Sequence, residues 1–270
     1  MNRTIRIAAY VLGGIVLGLL LALGMIQLLS RTGFGQERVR RFALDWLRGQ
    51  VHGEVRIGRL GGPGLLSGVT IHDFAIIDSS GRTFVEVDSA HIAYDWKTLL
   101  GGSIVIDNAT FYSPEVAIEK LPGDTLWNYE RIFPDTTPGE SSGPGRLIMV
   151  DDAHLVDATV YLRRPWQPDD PVEPDDTARI ILEDVASGRV TVMRFDIAEA
   201  ELPRVLWESP LEEGRMFQVA ALRGSGYIWQ DPLVIEALHG TVTQVDSVVS
   251  FDIPRLELPA TRASAVGRVV

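Results

Sequence analysis

Residues 85–120 read VEVDSAHIAYDWKTLLGGSIVIDNATFYSPEVAIEK, and their alternation decides the fold. Val85 and Val87 sit at odd positions, whereas Ala90, Ile92, Tyr94 and Trp96 sit at even ones. Alternating apolar and polar residues mark a strand with one buried face. A slip of one residue turns every later side chain to the other face. The change of phase after Asp88 therefore calls for a β-bulge or short break, which returns the apolar residues to one side. The pattern recurs as IVIDNATFYS (104–113) and, with one apolar position filled differently, as IMVDDAHLVD (148–157). Breaks are expected near Asp88, Asp107 and Asp151, within an extended, modular sheet.

The period of two begins earlier and runs on. Val55 and Ile57, then Val69 and Ile71, alternate with polar residues from Val51 onward. Strands are expected over 147–163, 179–199 and 215–258, with turns at Gly224-Ser225-Gly226 and His239-Gly240. The Pro/Gly/Ser-rich stretch near 133–146 and the acidic, proline-broken stretch near 165–177 read as loops. Residues 51–270 thus form one mainly β domain, and the final residues resemble the middle of a strand, so the chain is expected to continue.

The N-terminal part reads differently. After a short tail (1–6), Ile7 to Leu29 carries no charge and a single amide, Gln27. As a helix this run is about 35 Å long, enough to cross a bilayer core of roughly 30 Å. It is too long for a signal peptide's apolar region and ends in a poor cleavage site, Met25-Ile26-Gln27-Leu28-Leu29. An uncleaved single-pass anchor is expected. The arginines after it (Arg31, Arg38, Arg40, Arg41) outnumber Arg3 and Arg6 before it, which by the positive-inside rule favours a cytoplasmic C-terminus; long domains can cross regardless of such charges, so the charges leave the orientation open. Residues 30–50 contain a juxtamembrane amphipathic helix, with Val39, Phe42, Ala43, Trp46 and Leu47 on one side and Arg38, Arg41 and Arg48 on the other. Trp46 alone among the tryptophans suggests a membrane-interface position; the others read as core or sheet-edge packing.

Composition narrows the chemistry. A net charge of −11 excludes a nucleic-acid partner, because phosphate binding needs basic stripes. The absence of cysteine excludes disulfides and thiolate metal sites. Gly139-Glu140-Ser141-Ser142-Gly143 matches a nucleophile elbow on paper, but it lies in a Pro/Gly loop with no helix behind it. The glycine-rich Gly62–Gly68 stretch lacks the Lys and helix of a phosphate loop. The five histidines have no metal spacing, and the acidic loop lacks the calcium-binding pattern. No nucleophile, base and orienting group assemble. Neither an enzyme nor a cofactor or metal site is expected.

Several pieces together resemble the N-terminal region of the AsmA-like family, which includes the TamB and YhdP groups. They are the anchor, the amphipathic helix, the GEVRIGRL strand (53–60), GLLSGVTIHDFAIID (64–78), the aspartate-bearing strand pair of 85–113, the Trp96–Gly102 connection, the Pro114 strand and the Leu126-Trp127-Asn128 step. The resemblance covers roughly residues 1–133; the remainder matches only in its style of strand. It implies an extended, curved antiparallel β-groove of the kind found in bridge-like lipid transfer proteins, anchored in the bacterial inner membrane with its C-terminal domain in the periplasm. It also implies an apolar interior that carries phospholipid acyl chains between the inner and outer membranes while the headgroups stay in water. In such a groove Val87, Ile92, Tyr94, Ile104, Ile106, Phe111, Val116 and Ile118 face lipid. In a closed sandwich the same residues are ordinary core, and strand patterning does not separate the two. A scaffold for assembling outer-membrane barrel proteins is the alternative role.

Overall fold

The computed structural model describes residues 37–38, 40–41, 44–45, 48, 51–64, 68–95, 98, 103–133, 147–167, 179–208, 214–245 and 248–269. The apolar segment 7–29, most of the 133–146 and 165–177 loops and the helix's apolar stripe lie outside them. Among the described residues no helix is long and apolar enough to cross a membrane.

The strands are β1 (Gly53–Gly64), β2 (Gly68–Asp78), β3 (Thr83–Tyr94), β4 (Ile104–Tyr112) and β5 (Glu115–Glu119). A short helix, α1 (Asn128–Ile132), precedes β6 (Ile148–Pro165), β7 (Leu182–Val185) and β8 (Gly188–Glu208). Then come β9 (Arg215–Val219), β10 (Ala221–Tyr227), β11 (Leu233–Ile235), β12 (Ala237–Val245), β13 (Val248–Leu258) and β14 (Thr261–Val269). All fourteen belong to one curved sheet, whose main path runs β1-β2-β3-β4-β6-β8-β9-β12-β13-β14. β4 and β5 act as one interrupted strand, both meeting β3 and β6; β9 and β10 both pair with β8, while β12 pairs with β9 and β11 with β10. Ten strands spaced ~4.8 Å apart make the sheet about 43 Å wide. β1 and β14 are not paired with each other, so the sheet is open rather than closed into a barrel.

The expected all-antiparallel sheet is corrected at one point. β4 and β5 run parallel to β6. The reason is the connection: a parallel pair needs a crossover, and the chain from Lys120 onward makes one through α1 instead of a hairpin. Every other pairing is antiparallel, from β1–β2 through β13–β14.

The phase changes appear as seams running across the strands. Asp73 adopts a left-handed backbone (φ 54°) between the pairs Ile57↔Phe74 and Arg59↔His72. Asp152 (φ 57°), Asp157 (φ 54°) and Ser113 (φ 49°) do the same farther along the sheet. Asp visits this region more readily than most residues because its short polar side chain tolerates it. Near Asp107 the β3–β4 register shifts by one, as a bulge requires. At the other two expected positions the detail differs. Pairing passes Asp88 in register and the left-handed residue is its cross-strand neighbour Asp73, while Asp151 pairs with Arg204 and the left-handed residue is Asp152. At these two positions neighbouring strands turn together, so side chains flip without a shift in register.

Two expected turns are strand interior instead. Gly224–Gly226 lies within β10, paired to both β8 and β11, and His239-Gly240 lies within β12. A side chain at Gly224 would strike the Asp196 carbonyl, and one at Gly240 would come within 2.6 Å of the Asp252 carbonyl. These glycines permit close backbone approach at shifts in register rather than a reversal of the chain.

Candidate functional site

Directly opposed residues on neighbouring strands point to the same side of a sheet. Following the registers strand by strand therefore maps each face. One row reads Leu60–Ile71–Ala90–Phe111–Leu155–Ala200–Leu222, from β1 to β10. A second reads Val55–Ile76–Val85–Val116–Val160–Phe195–Gly226. A third reads Tyr94–Ile106–Val150–Val205–Phe217–Val242–Phe251–Gly267 and reaches β14. Val55, Ile57, Leu60 and Ile76 share one cluster with Val69, Ile71, Phe74 and Val85, so residues on both sides of the Asp73 seam lie on one face.

The rows of the opposite face are mostly polar. Thr70–His91–Thr110–His154–Glu201 is one, and Asp151–Arg204–Gln218–Thr241–Asp252 is another. An apolar patch of Val105, Met149, Leu206 and Met216 interrupts them. The sheet is thus two-sided in chemistry: the long apolar rows lie on one side, and on the other Leu206, at 1% exposure, lies buried within the shorter patch.

All eight residues anticipated for a groove lie on the apolar face. Tyr94 opposes Ile106, Ile92 opposes Ala109, Val87 opposes Phe74, and Phe111 opposes Ala90. Ile104 lies beside Ile148, Val116 beside Val160, and Ile118 beside Leu162. Val87 is buried, while the other seven are half-buried. The most deeply buried residues along the middle of this face are small: Ala109 at 0% exposure, Ala200 at 1% and Ala158 at 3%. Small side chains are shaded by their neighbours, whereas the large ones project and keep one side uncovered. Burial pushes the Tyr94 hydroxyl's pKa up, in keeping with its apolar surroundings.

Among the described residues, a cover over this face is seen at its β1–β2 end. Ile132 of α1, at 0% exposure, packs with Leu44, Val51, Val55, Ile57, Leu60 and Ile76. Described residues between 37 and 48 are helical, and Arg40 Nη1 donates to the Ile57 carbonyl at 3.0 Å, tying that segment to β1. Leu44, outside the stripe expected from spacing, supplies the described contact with the core. The His52 N–H donates to the Ile132 carbonyl at 2.9 Å. The amide of Asn128, 1% exposed, donates to the Ala117 carbonyl at 2.6 Å and accepts from the Glu119 N–H at 3.0 Å. It pairs with β5 as another strand would, where β3 no longer reaches.

An ion network fastens this end. Asp78 accepts from Arg131 at 3.0 Å, Asp124 accepts from both Arg82 and Arg131 at 3.2 Å, and Glu119 accepts from Arg163 at 2.6 Å. Burial alone would raise the pKa of Asp78. The Ser80 hydroxyl, the backbone N–H groups of Arg82 and Ser80 and the Arg131 guanidinium outweigh it and hold the carboxyl below its ordinary value. Its role is to lock the β2–β3 turn to the crossover.

Larger residues beyond the anticipated eight extend the apolar surface, namely Leu155, Val205, Phe217 and Phe251. The repeat at 148–157 pointed to Leu155; no comparable motif marked the others. Of the tryptophans read as packing, Trp229 is instead 54% exposed. Among the described residues no group of His, Cys, Asp or Glu is placed to hold a metal. Comparison with protein-family models, curated proteins and solved structures yields no match.

Proposed function

We propose that the chain is a membrane-anchored module that carries phospholipid acyl chains along the apolar face of its sheet, in the periplasm, between inner and outer membranes. The observation that supports this most is the set of apolar rows, which cross as many as eight neighbouring strands while all described strands remain in a single sheet. An apolar face of this extent needs a cover. The helix α1 and Leu44 cover the β1–β2 end, and the half-buried residues beyond them are suited to hydrocarbon. Eight strands ~4.8 Å apart give the longest apolar row about 34 Å, comparable to the bilayer's own ~30 Å core with its two layers of acyl chains, so the row is long enough for acyl chains lying end to end. The anchor and the resemblance to the AsmA-like family supply the location and the direction of this reading. Hydrocarbon binding needs no catalytic group, and no cofactor is invoked.

The test is Ile106→Asp in the full chain, purified in mild detergent, with bound phospholipid measured by mass spectrometry beside the thermal melt. A carboxylate on an open face leaves the domain folded and removes the lipid, since passing acyl chains would have to desolvate it. In a closed core the same carboxylate is buried without a partner and unfolds the domain. Unfolding, or a folded variant that keeps its lipid, would overturn the assignment. Capture of an outer-membrane barrel protein by a lipid-free wild type would favour the scaffold role instead.

A further inference from the structure

The segment that closes the covered end also presents apolar side chains outward. Leu126, Tyr129 and Phe133 are 48%, 40% and 46% exposed, around a half-buried Trp127 whose ring stacks on Tyr129 at 6.3 Å. This knob is firmly held. Glu130 accepts from the Trp127 N–H at 2.7 Å, Asp124 accepts from the Leu121 N–H at 3.0 Å, and Phe133 meets Phe84 edge to face at 6.0 Å. Asn128 and Ile132 on the same turn are buried beneath it. A well-held surface cluster of Trp, Tyr, Phe and Leu has the composition of membrane-interface anchors rather than of a solvated loop.

Its place in the chain names the occupant. Ile132 packs against Leu44, which follows the end of the apolar run at Leu29 by fifteen residues. That length of chain spans about 22 Å as a helix and no more than about 50 Å when extended. If Ile7–Leu29 crosses a bilayer, the knob is therefore tethered within reach of that bilayer's surface. We propose that the Leu126–Phe133 knob docks into the interface of the membrane holding the anchor, setting the covered end of the apolar face against the lipid surface. This rests on the anchored-groove reading and adds to it the point at which the domain touches lipid.

The absence of cysteine makes the test clean. Nitroxide labels at Leu126→Cys and Tyr129→Cys are compared, in the full chain in nanodiscs of phosphatidylethanolamine and phosphatidylglycerol, with Leu17→Cys inside the apolar run and Arg223→Cys on the polar face. Collision with oxygen and with a water-soluble nickel chelate is read by paramagnetic resonance. Docking predicts that the labels at 126 and 129 favour oxygen over nickel, inverting the preference of the label at 223. Nickel-accessible labels at 126 and 129 beside a lipid-buried label at 17 would overturn the docking and leave the anchor standing. Nickel-accessible labels at all three positions would overturn both. Immobilised labels shielded from both reagents would mean that protein covers the knob, which also overturns the proposal.

Discussion

Removing side-chain carbons at the two ends of the apolar face should have unequal costs. Ile132 is fully buried among Leu44, Val51, Val55, Ile57, Leu60 and Ile76, so Ile132→Ala deletes atoms from a closed cluster and leaves a cavity. Such truncations cost about 2–5 kcal/mol, and the complete burial here places the expectation near 4. Ile106 lies on the same face but is half-buried. Ile106→Ala loses only part of the ~0.8 kcal/mol per methylene and creates no sealed void, so about 1 kcal/mol is expected. For a domain of this size, 1 kcal/mol shifts the melting temperature by roughly 2–4 °C, so the gap between the variants is of order 10 °C. Thermal melts of detergent-solubilised, delipidated full chain, followed by circular dichroism, read it directly. Equal losses would mean that Ile106 is packed as tightly as Ile132, and the open face would be refuted.

Further outcomes follow from the same contacts. Asn128→Ala leaves the Ala117 carbonyl and the Glu119 N–H unpaired and should cost about 2–4 kcal/mol in the same melt, more than alanine at an exposed position such as Tyr129. Asp78 has a folded pKa below its ordinary 3.8, so the stability it contributes is present above that value and lost as pH falls through the folded one. Wild type should therefore lose melting temperature on acidification more steeply than Asp78→Asn; parallel curves would contradict this. At Gly226 a Cβ would lie 3.2 Å from the Phe195 ring, so Gly226→Val should lift the ring off the sheet, cost about 1–3 kcal/mol and lower lipid content.

Much of the sheet was legible because alternation is a local signal. The phase change around Asp88 foretold that Val87 and Ile92 share a face, five residues apart, and the residues that turn the backbone are largely aspartates, as the motif suggested. The strand carrying the left-handed residue was not legible. Asp73 and Asp88 face each other across β2 and β3, and sequence does not say which of two neighbours takes the strained conformation. The parallel β4–β6 pairing was hidden for a related reason. It depends on where the crossover lands, fixed by Asn128 and Ile132 through contacts with residues far away in the chain. Gly226 and Gly240 misled because a glycine that marks a turn also serves a close approach in a strand. The eight apolar positions were readable as a set, but their common surface emerged only once the rows were traced across strands.

The most direct test of the lipid-bearing face is photo-crosslinking in living cells with benzoylphenylalanine at Phe111 and at its strand neighbour Thr110, which points to the other side of the sheet. A lipid path predicts phospholipid adducts, identified by mass spectrometry, from position 111 and none from position 110. Adducts only to the chain itself at 111, or lipid adducts equally at both positions, would contradict it.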